Sequence, residues 1–135
     1  MCKLLMSINP EHVENILAGT KKFEFRKCKC KEQIESIVIY STAPVMKVVA
    51  EVEVKEIIED TPQTVWKRTS NAAGIDKTFF DSYYSGRETA VAYVLGCVTQ
   101  FDSPRNLTDY GVKAAPQSYV YIRSDISSCL QAGAN

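Results

Sequence analysis

The sequence predicts an α+β fold, a small mixed β-barrel, closed or nearly closed, with two to three packed helices. Several runs alternate apolar and polar residues with the two-residue period of strands. Between them lie segments with helix-start and helix-stop residues around an apolar stripe. The chain has 135 residues, 45% of them hydrophobic, which suits one domain with a real core. Strands interrupted by paired helices fit a barrel, and closure hides strand edges.

Leu4, Met6 and Ile8 suggest the first strand. Asn9 is a favourable N-cap, Pro10 suits the first helical position, and Glu11 sits at the positive end of the helix dipole. Val13, Ile16 and Leu17 form one stripe, and Gly19 supplies a left-handed stop. Lys22-Phe23-Glu24-Phe25-Arg26 then alternates as a strand, with Phe23 and Phe25 inward and Lys22, Glu24 and Arg26 on the other face. Lys21 lies at the strand mouth, where parity does not decide its direction. Ile37 to Tyr40 is a short apolar run, expected as a strand buried on both faces and stopping at Ser41-Thr42-Ala43-Pro44. A long strand runs from about Met46 to Ile58, with Ala50, Val52 and Val54 alternating against Glu51, Glu53 and Lys55. Thr61-Pro62 starts a second helix with Val65 and Trp66 inward, and Asn71-Ala72-Ala73-Gly74 breaks it. Asp76 caps a third helix, which carries Phe79, Phe80 and Tyr83 and ends by Gly86. Thr89 to Gln100 reads as a strand, Pro104 to Gly111 as a turn-rich connection, and Ser118 to Arg123 as the last strand. Residues 1–123 are expected to form one domain and 124–135 a polar tail; no repeat, low-complexity segment or linker interrupts them.

The junction between the first helix and the second strand concentrates chemistry. Residues 19–26 read Gly-Thr-Lys-Lys-Phe-Glu-Phe-Arg, a G-x-K-x-x-E-x-R pattern. Packing alone gives no reason to gather the pattern's two fixed cations, Lys21 and Arg26, and its carboxylate, Glu24, there. Lys21 and Arg26 are suited to a phosphate or a base carbonyl, Arg as a planar fork and Lys as a compact charge. Glu24 is suited to accept hydrogen bonds from a base amino group, or to act as a general base if partial burial raises its pKa. The alternative is an ion-pair network that ties the helix end to the sheet.

This octet resembles the signature of the ASCH domain (activating signal cointegrator homology), a branch of the PUA-like superfamily. Element order and length resemble a stand-alone ASCH protein through about residue 123. The resemblance implies a small β-barrel with helices packed on it and a role in binding RNA or a modified nucleoside. Some small bacterial members look like amidohydrolases acting on N4-acetylcytidine, and a nuclease activity has been attributed to others. The amidohydrolase-like members carry a threonine, the supposed nucleophile, where this chain has Glu24. They also look to an acid in the segment where this chain has Ala72-Ala73-Gly74, with Asp76 near but not an obvious match. A carboxylate cannot be the same nucleophile, although Lys21 is still placed to orient a substrate carbonyl.

Formal net charge is zero and the pI is near 6.6, so global charge does not announce a nucleic-acid binder. Locally, six cations stand between Lys21 and Lys31 against Glu24 alone, a strip suited to phosphates or simply a solvated loop. No apolar run approaches the roughly 18 residues of a membrane span, and the apolar N-terminus is too short for a secretory signal; a cytoplasmic location is the expectation. Five cysteines without scaffold spacing are expected as free thiols. Cys28-x-Cys30 and a single histidine, His12, do not make a zinc site, and neither a metal nor a cofactor is expected. His12 itself reads as solvated or capping.

Ser41 and Thr42, past a core strand, are candidates for a cavity wall, and Ser118 for the same mouth. Tyr83, Tyr84, Tyr93, Tyr119 and Tyr121 offer stacking surfaces but are spaced as packing residues. The leading expectation is a module that binds RNA or a modified nucleoside, with Lys21, Lys22, Arg26, Lys27, Lys29, Ser41 and Thr42 as contacts. The alternative is a small hydrolase, N4-acetylcytidine amidohydrolase-like or a ribonuclease, using Lys21, Glu24 and Arg26 in the same cleft. A second alternative is a protein-binding regulatory domain. The oligomeric state is left open.

Overall fold

The structure, a computed structural model, describes residues 2–123; the expected polar tail at 124–135, including Cys129, lies outside the described residues. The chain runs β1 (Cys2–Ile8), α1 (Pro10–Ala18), β2 (Phe23–Arg26), β3 (Ile34–Ser41), β4 (Lys47–Asp60), α2 (Pro62–Thr69), α3 (Lys77–Tyr83), β5 (Ala90–Arg105) and β6 (Tyr119–Arg123). A 3₁₀ turn at Ser70–Ala72 follows α2, and another at Leu107–Tyr110 precedes β6.

All six strands join one mixed sheet in the order β2-β5-β4-β3-β1-β6, with β1 parallel to β3 and the other neighbours antiparallel. The sheet curls into a half-barrel, so its two edges meet. From edge strand β2, Arg26 Nη2 donates to the Ser7 carbonyl on β1 at 2.9 Å, and Nη1 donates to Ser118 Oγ beside β6 at 3.1 Å. The 27–33 loop crosses the same seam: the Cys30 N–H donates to Tyr93 Oη of β5, and the Lys31 N–H donates to Tyr121 Oη of β6. Side chains thus close the gap that backbone pairing leaves open.

Inside the curl, Leu4, Met6, Ile37, Ile39, Val52 and Tyr93 pack with Val13 and Ile16 of α1. Phe25, Ile58, Val65, Phe80 and Tyr84 form a second core under α2 and α3. On the outer face Leu5, Val38, Tyr40 and Val48 are covered by Ile122 and, in part, by Phe101, Leu107 and Tyr110. These two sides bury β3 on both faces, as its unbroken apolar run predicts.

Several local expectations hold with their physical causes visible. Thr61 Oγ1 accepts from the Thr64 N–H, and Asp76 Oδ1 accepts from the Phe79 N–H, so both caps work through their side chains. Asn9 precedes α1 without a side-chain cap bond, and Pro10 begins that helix. The expected turn-rich connection from Pro104 starts late. Strand β5 continues to Arg105, which pairs with Val48 after register shifts along β4. That extension brings Phe101 over the outer core, a long-range benefit that local turn chemistry around Pro104 does not reveal. Cys2, Cys28, Cys30 and Cys97 are free thiols. No helix among the described residues is long and apolar enough to cross a membrane.

Candidate functional site

Helix α1 ends where Gly19 takes the left-handed conformation (φ +84°) and its N–H reaches the Ile16 carbonyl. The Thr20 and Lys21 N–H groups then both donate to the Asn15 carbonyl, at 3.0 and 3.1 Å. This tight wrap turns Lys21 inward until it is 3% exposed. Its stem passes over Gly74, whose φ is +73° and where an added Cβ would stand 2.5 Å from Lys21 Cβ. Lys21 Nζ donates to the Ala73 carbonyl at 2.9 Å and lies 4.8 Å from the centre of the Phe25 ring. Burial holds its pKa below the ordinary lysine value; Glu24 opposes that shift and Arg26 adds to it.

On β2, Glu24 pairs with Tyr93 and Arg26 with Val91 of β5, which anchors the strand against the core. Glu24 is 6% exposed, and its Oε2 accepts from Arg26 Nε at 3.1 Å and Nη2 at 3.0 Å. Phe23 and Phe25 join the core under α2 and α3, and Phe25 also lines the cleft beside Lys21. Glu24 and Arg26 are thus ion-paired and Lys21 is held by a backbone carbonyl, yet all three remain on one wall of an open cleft of about 240 Å³. The wall carries Lys21⁺, Glu24⁻ and Arg26⁺, a net charge of +1.

The cleft has two further walls. Ser7 and His12 come from β1 and α1; Ile75, Phe79 and Tyr83 come from α3 and the residues just before it. His12 Nδ1 is buried with no hydrogen-bond partner, and its ring meets Phe79 edge-on, with centroids 6.0 Å apart. Burial lowers the His12 pKa, as do Lys21 and, less, Arg26, while Glu24 and Glu11 work against the shift. The imidazole in the cleft is therefore neutral at pH 7. Tyr83 has a raised pKa, first through burial, and stays a neutral phenol.

The structure brings Lys21, Glu24 and Arg26 together on the cleft wall and draws Ser118 in through its bond to Arg26. Lys22 is exposed and faces a different groove, beside Lys55 and Leu95. Lys27 and Lys29 lie exposed on the loop after β2; Lys27 Nζ sits 4.9 Å from the centre of the Tyr83 ring, at the cleft's border. Ser41 is buried in the β1–β3 ladder opposite Ile8, and the Thr42 N–H donates to the Ile8 carbonyl; neither lines the cleft. Of the tyrosines, Tyr84 and Tyr93 are core residues, Tyr119 and Tyr121 pack edge-on at the seam, and Tyr83 alone of these five lines the cleft. Asp76 caps α3 and takes no part in the cleft lining. Among the described residues no group of three or more His, Cys, Asp or Glu is placed to hold a metal ion.

Sequence reasoning missed His12 and Phe79 as site residues. The one usable signal for His12 lay in its position on α1, off the buried stripe of Val13 and Ile16. Phe79 carried none: it is 50% exposed, whereas the adjacent Phe80 fills the core. Two adjacent aromatic residues on a helix cannot share one face, and only the docking of α3 decides which of them goes inward.

The family profile described as ASCH domain matches residues 6–106. The large ribosomal subunit protein uL22 of Ureaplasma parvum serovar 3 is 23% identical over 121 residues, covering 89% of this chain and 39% of that protein. The ASCH domain-containing ribonuclease of Zymomonas mobilis subsp. mobilis is 29% identical over 92 residues, covering 67% of this chain and 62% of that protein. This chain therefore spans less than two thirds of the length of either relative. The crystal structure of ASCH from Zymomonas mobilis superposes with a TM-score of 0.84 at 25% identity, covering 96% of this chain and 94% of that one.

Proposed function

This chain belongs to the ASCH domain family, and on that premise we propose that it is an RNA-binding module whose ligand enters the cleft at Lys21, Glu24 and Arg26. The observation that carries the reading is the cleft wall itself. Two cations and one carboxylate, held by the fold, face a cavity rather than a sealed interior. Phosphate oxygens and base edges are ligands that use such donors and acceptors together. The exposed Lys27 and Lys29 adjoin the wall and supply the backbone contacts, with Lys22 on the far side of the same junction as an outlying one. A modified nucleoside would occupy the same cleft. The name of the Zymomonas mobilis relative, a ribonuclease, supports an RNA partner. We assign residues 1–123 to this single module and place it in the cytoplasm, where its thiols stay reduced.

The test is fluorescence anisotropy with a short labelled single-stranded RNA across a salt series. The logarithm of the association constant should fall linearly with the logarithm of salt concentration, by about 0.7 per phosphate contact. Replacing Lys27 and Lys29 by Gln should flatten that slope by about 1.4. An absence of binding at low salt would remove the proposal.

A second reading, ribonuclease action, has one observation in its favour: the depressed pKa of Lys21 brings a proton-transferring amine into the same cleft as Glu24. Incubation of RNA with wild type and Lys21→Met, followed by gel analysis, decides it; intact RNA with wild type over hours excludes cleavage. Acylated-nucleoside hydrolysis gains no comparable support, because Glu24, at the threonine position, is engaged by Arg26.

A further inference from the structure

Resting on the RNA reading, we propose that the cleft takes one unstacked nucleobase, with Phe79 as its stacking surface and the Arg26–Glu24–His12 side reading its polar edge. Helix α3 and its C-cap residue Tyr84 carry two aromatic stripes. Phe80 and Tyr84 are 1% and 3% exposed and build the core. Phe79 and Tyr83, one residue earlier each, line the cleft. Tyr83 packs in part against the second core, but Phe79 leaves half its surface in water, opposite an ionic wall, and adds little to the core.

The two walls define what fits between them. A ligand must be apolar on its faces and hydrogen-bonding on its rim, which describes a heteroaromatic plate. An aliphatic side chain would leave Lys21, Glu24 and Arg26 facing hydrocarbon, a costly burial of charge. The volume of about 240 Å³ lies below the range typical of sites that enclose a drug-sized ligand, so a base enters and its ribose and phosphate stay outside. Lys27, seated over the Tyr83 ring at the border of the aromatic stripe, is where that phosphate would be met. His12 contributes twice. Its ring braces the edge of Phe79, and its buried Nδ1 is an acceptor or donor still lacking a partner. Single bases splayed onto aromatic rings are a common mode of sequence-tolerant RNA binding.

Calorimetric titration of the four ribonucleoside 5′-monophosphates and of ribose 5-phosphate into wild type, Phe79→Ala and Phe79→Trp tests this. Wild type should bind at least one nucleotide more tightly than ribose 5-phosphate. Phe79→Ala should weaken that nucleotide about 5- to 150-fold while leaving ribose 5-phosphate unchanged, and Phe79→Trp should restore it. The sole histidine gives an independent readout, since its ring proton signals should move on nucleotide binding and not on ribose 5-phosphate binding. Phe79 is half exposed, and a thermal melt of each variant checks that the fold is intact. Equal nucleotide affinity in wild type and Phe79→Ala overturns the inference, as does a wild type that does not distinguish nucleotide from ribose 5-phosphate. If single-stranded RNA still binds with its salt dependence in either case, the RNA reading survives and only base capture falls. If wild type binds neither RNA nor nucleotide, both fall.

Discussion

Glu24→Gln separates the structural work of the ionic wall from its ligand-facing work. Glu24 is the only anion among the three signature charges, so the substitution takes the wall from +1 to +2. Removing one member of a buried pair typically costs about 3–5 kcal/mol. Here the loss is smaller. Arg26 keeps the Ser7 carbonyl at 2.9 Å and Ser118 Oγ at 3.1 Å, and 16% of its side chain is exposed. Gln also retains an oxygen that can accept from the guanidinium. A destabilisation of about 2–3 kcal/mol is the expected outcome, which for a domain of this size is a fall in melting temperature of roughly 6–15 °C. Glu24 is the main charge resisting the downward pKa shifts of Lys21 and His12, so both groups should titrate still lower in the variant. Inorganic phosphate should bind more tightly, because the cleft has gained a positive charge. Calorimetric melts, a proton NMR titration of the single histidine and phosphate titration read the three effects. In a double-mutant cycle, Lys21→Met should recover part of the lost stability. A variant that melts like wild type and whose His12 midpoint does not move would refute the assignment of Glu24 as the counterion of the cleft.

Gly74→Ala should destabilise by about 1–3 kcal/mol and displace Lys21, because the new methyl would meet the Lys21 stem from a strained positive φ; a urea melt and an RNA titration should both shift. The pH dependence of stability has a sign set by His12. Its folded pKa is below the ordinary 6.5, so between those values the unfolded chain holds a proton that the folded chain does not. Stability from this group is complete above pH 6.5 and is lost as pH falls through the depressed value, and His12→Gln should flatten that part of the melting-temperature profile. Tyr84→Phe should cost about 1–2 kcal/mol in urea unfolding without altering RNA binding, since the Tyr84 hydroxyl lies 2.8 Å from the Arg26 carbonyl and 3.0 Å from the Val91 carbonyl and Tyr84 itself does not line the cleft.

Much of the architecture was legible in the sequence because it rests on interactions within a few residues. The stop at Gly19, the caps at Thr61 and Asp76 and the alternation from Phe23 to Arg26 follow from backbone conformation and side-chain parity, which a short stretch of chain determines by itself. The same short stretch carries the G-x-K-x-x-E-x-R pattern, so the family and one wall of the cleft could be read from the sequence. The opposite wall could not. Lys21 turns inward because Gly74, 53 positions later, leaves room for its stem and Ala73 offers a carbonyl. His12 and Phe79 meet only because α3 docks against the start of α1. Ser41 ends in a strand ladder, and Thr42 in the turn bonded to its end, because β1 claims that edge of β3. Local chemistry fixes which elements form and where they end; which side chains face one another across a cavity depends on how distant elements pack, and no periodicity along the chain encodes that distance.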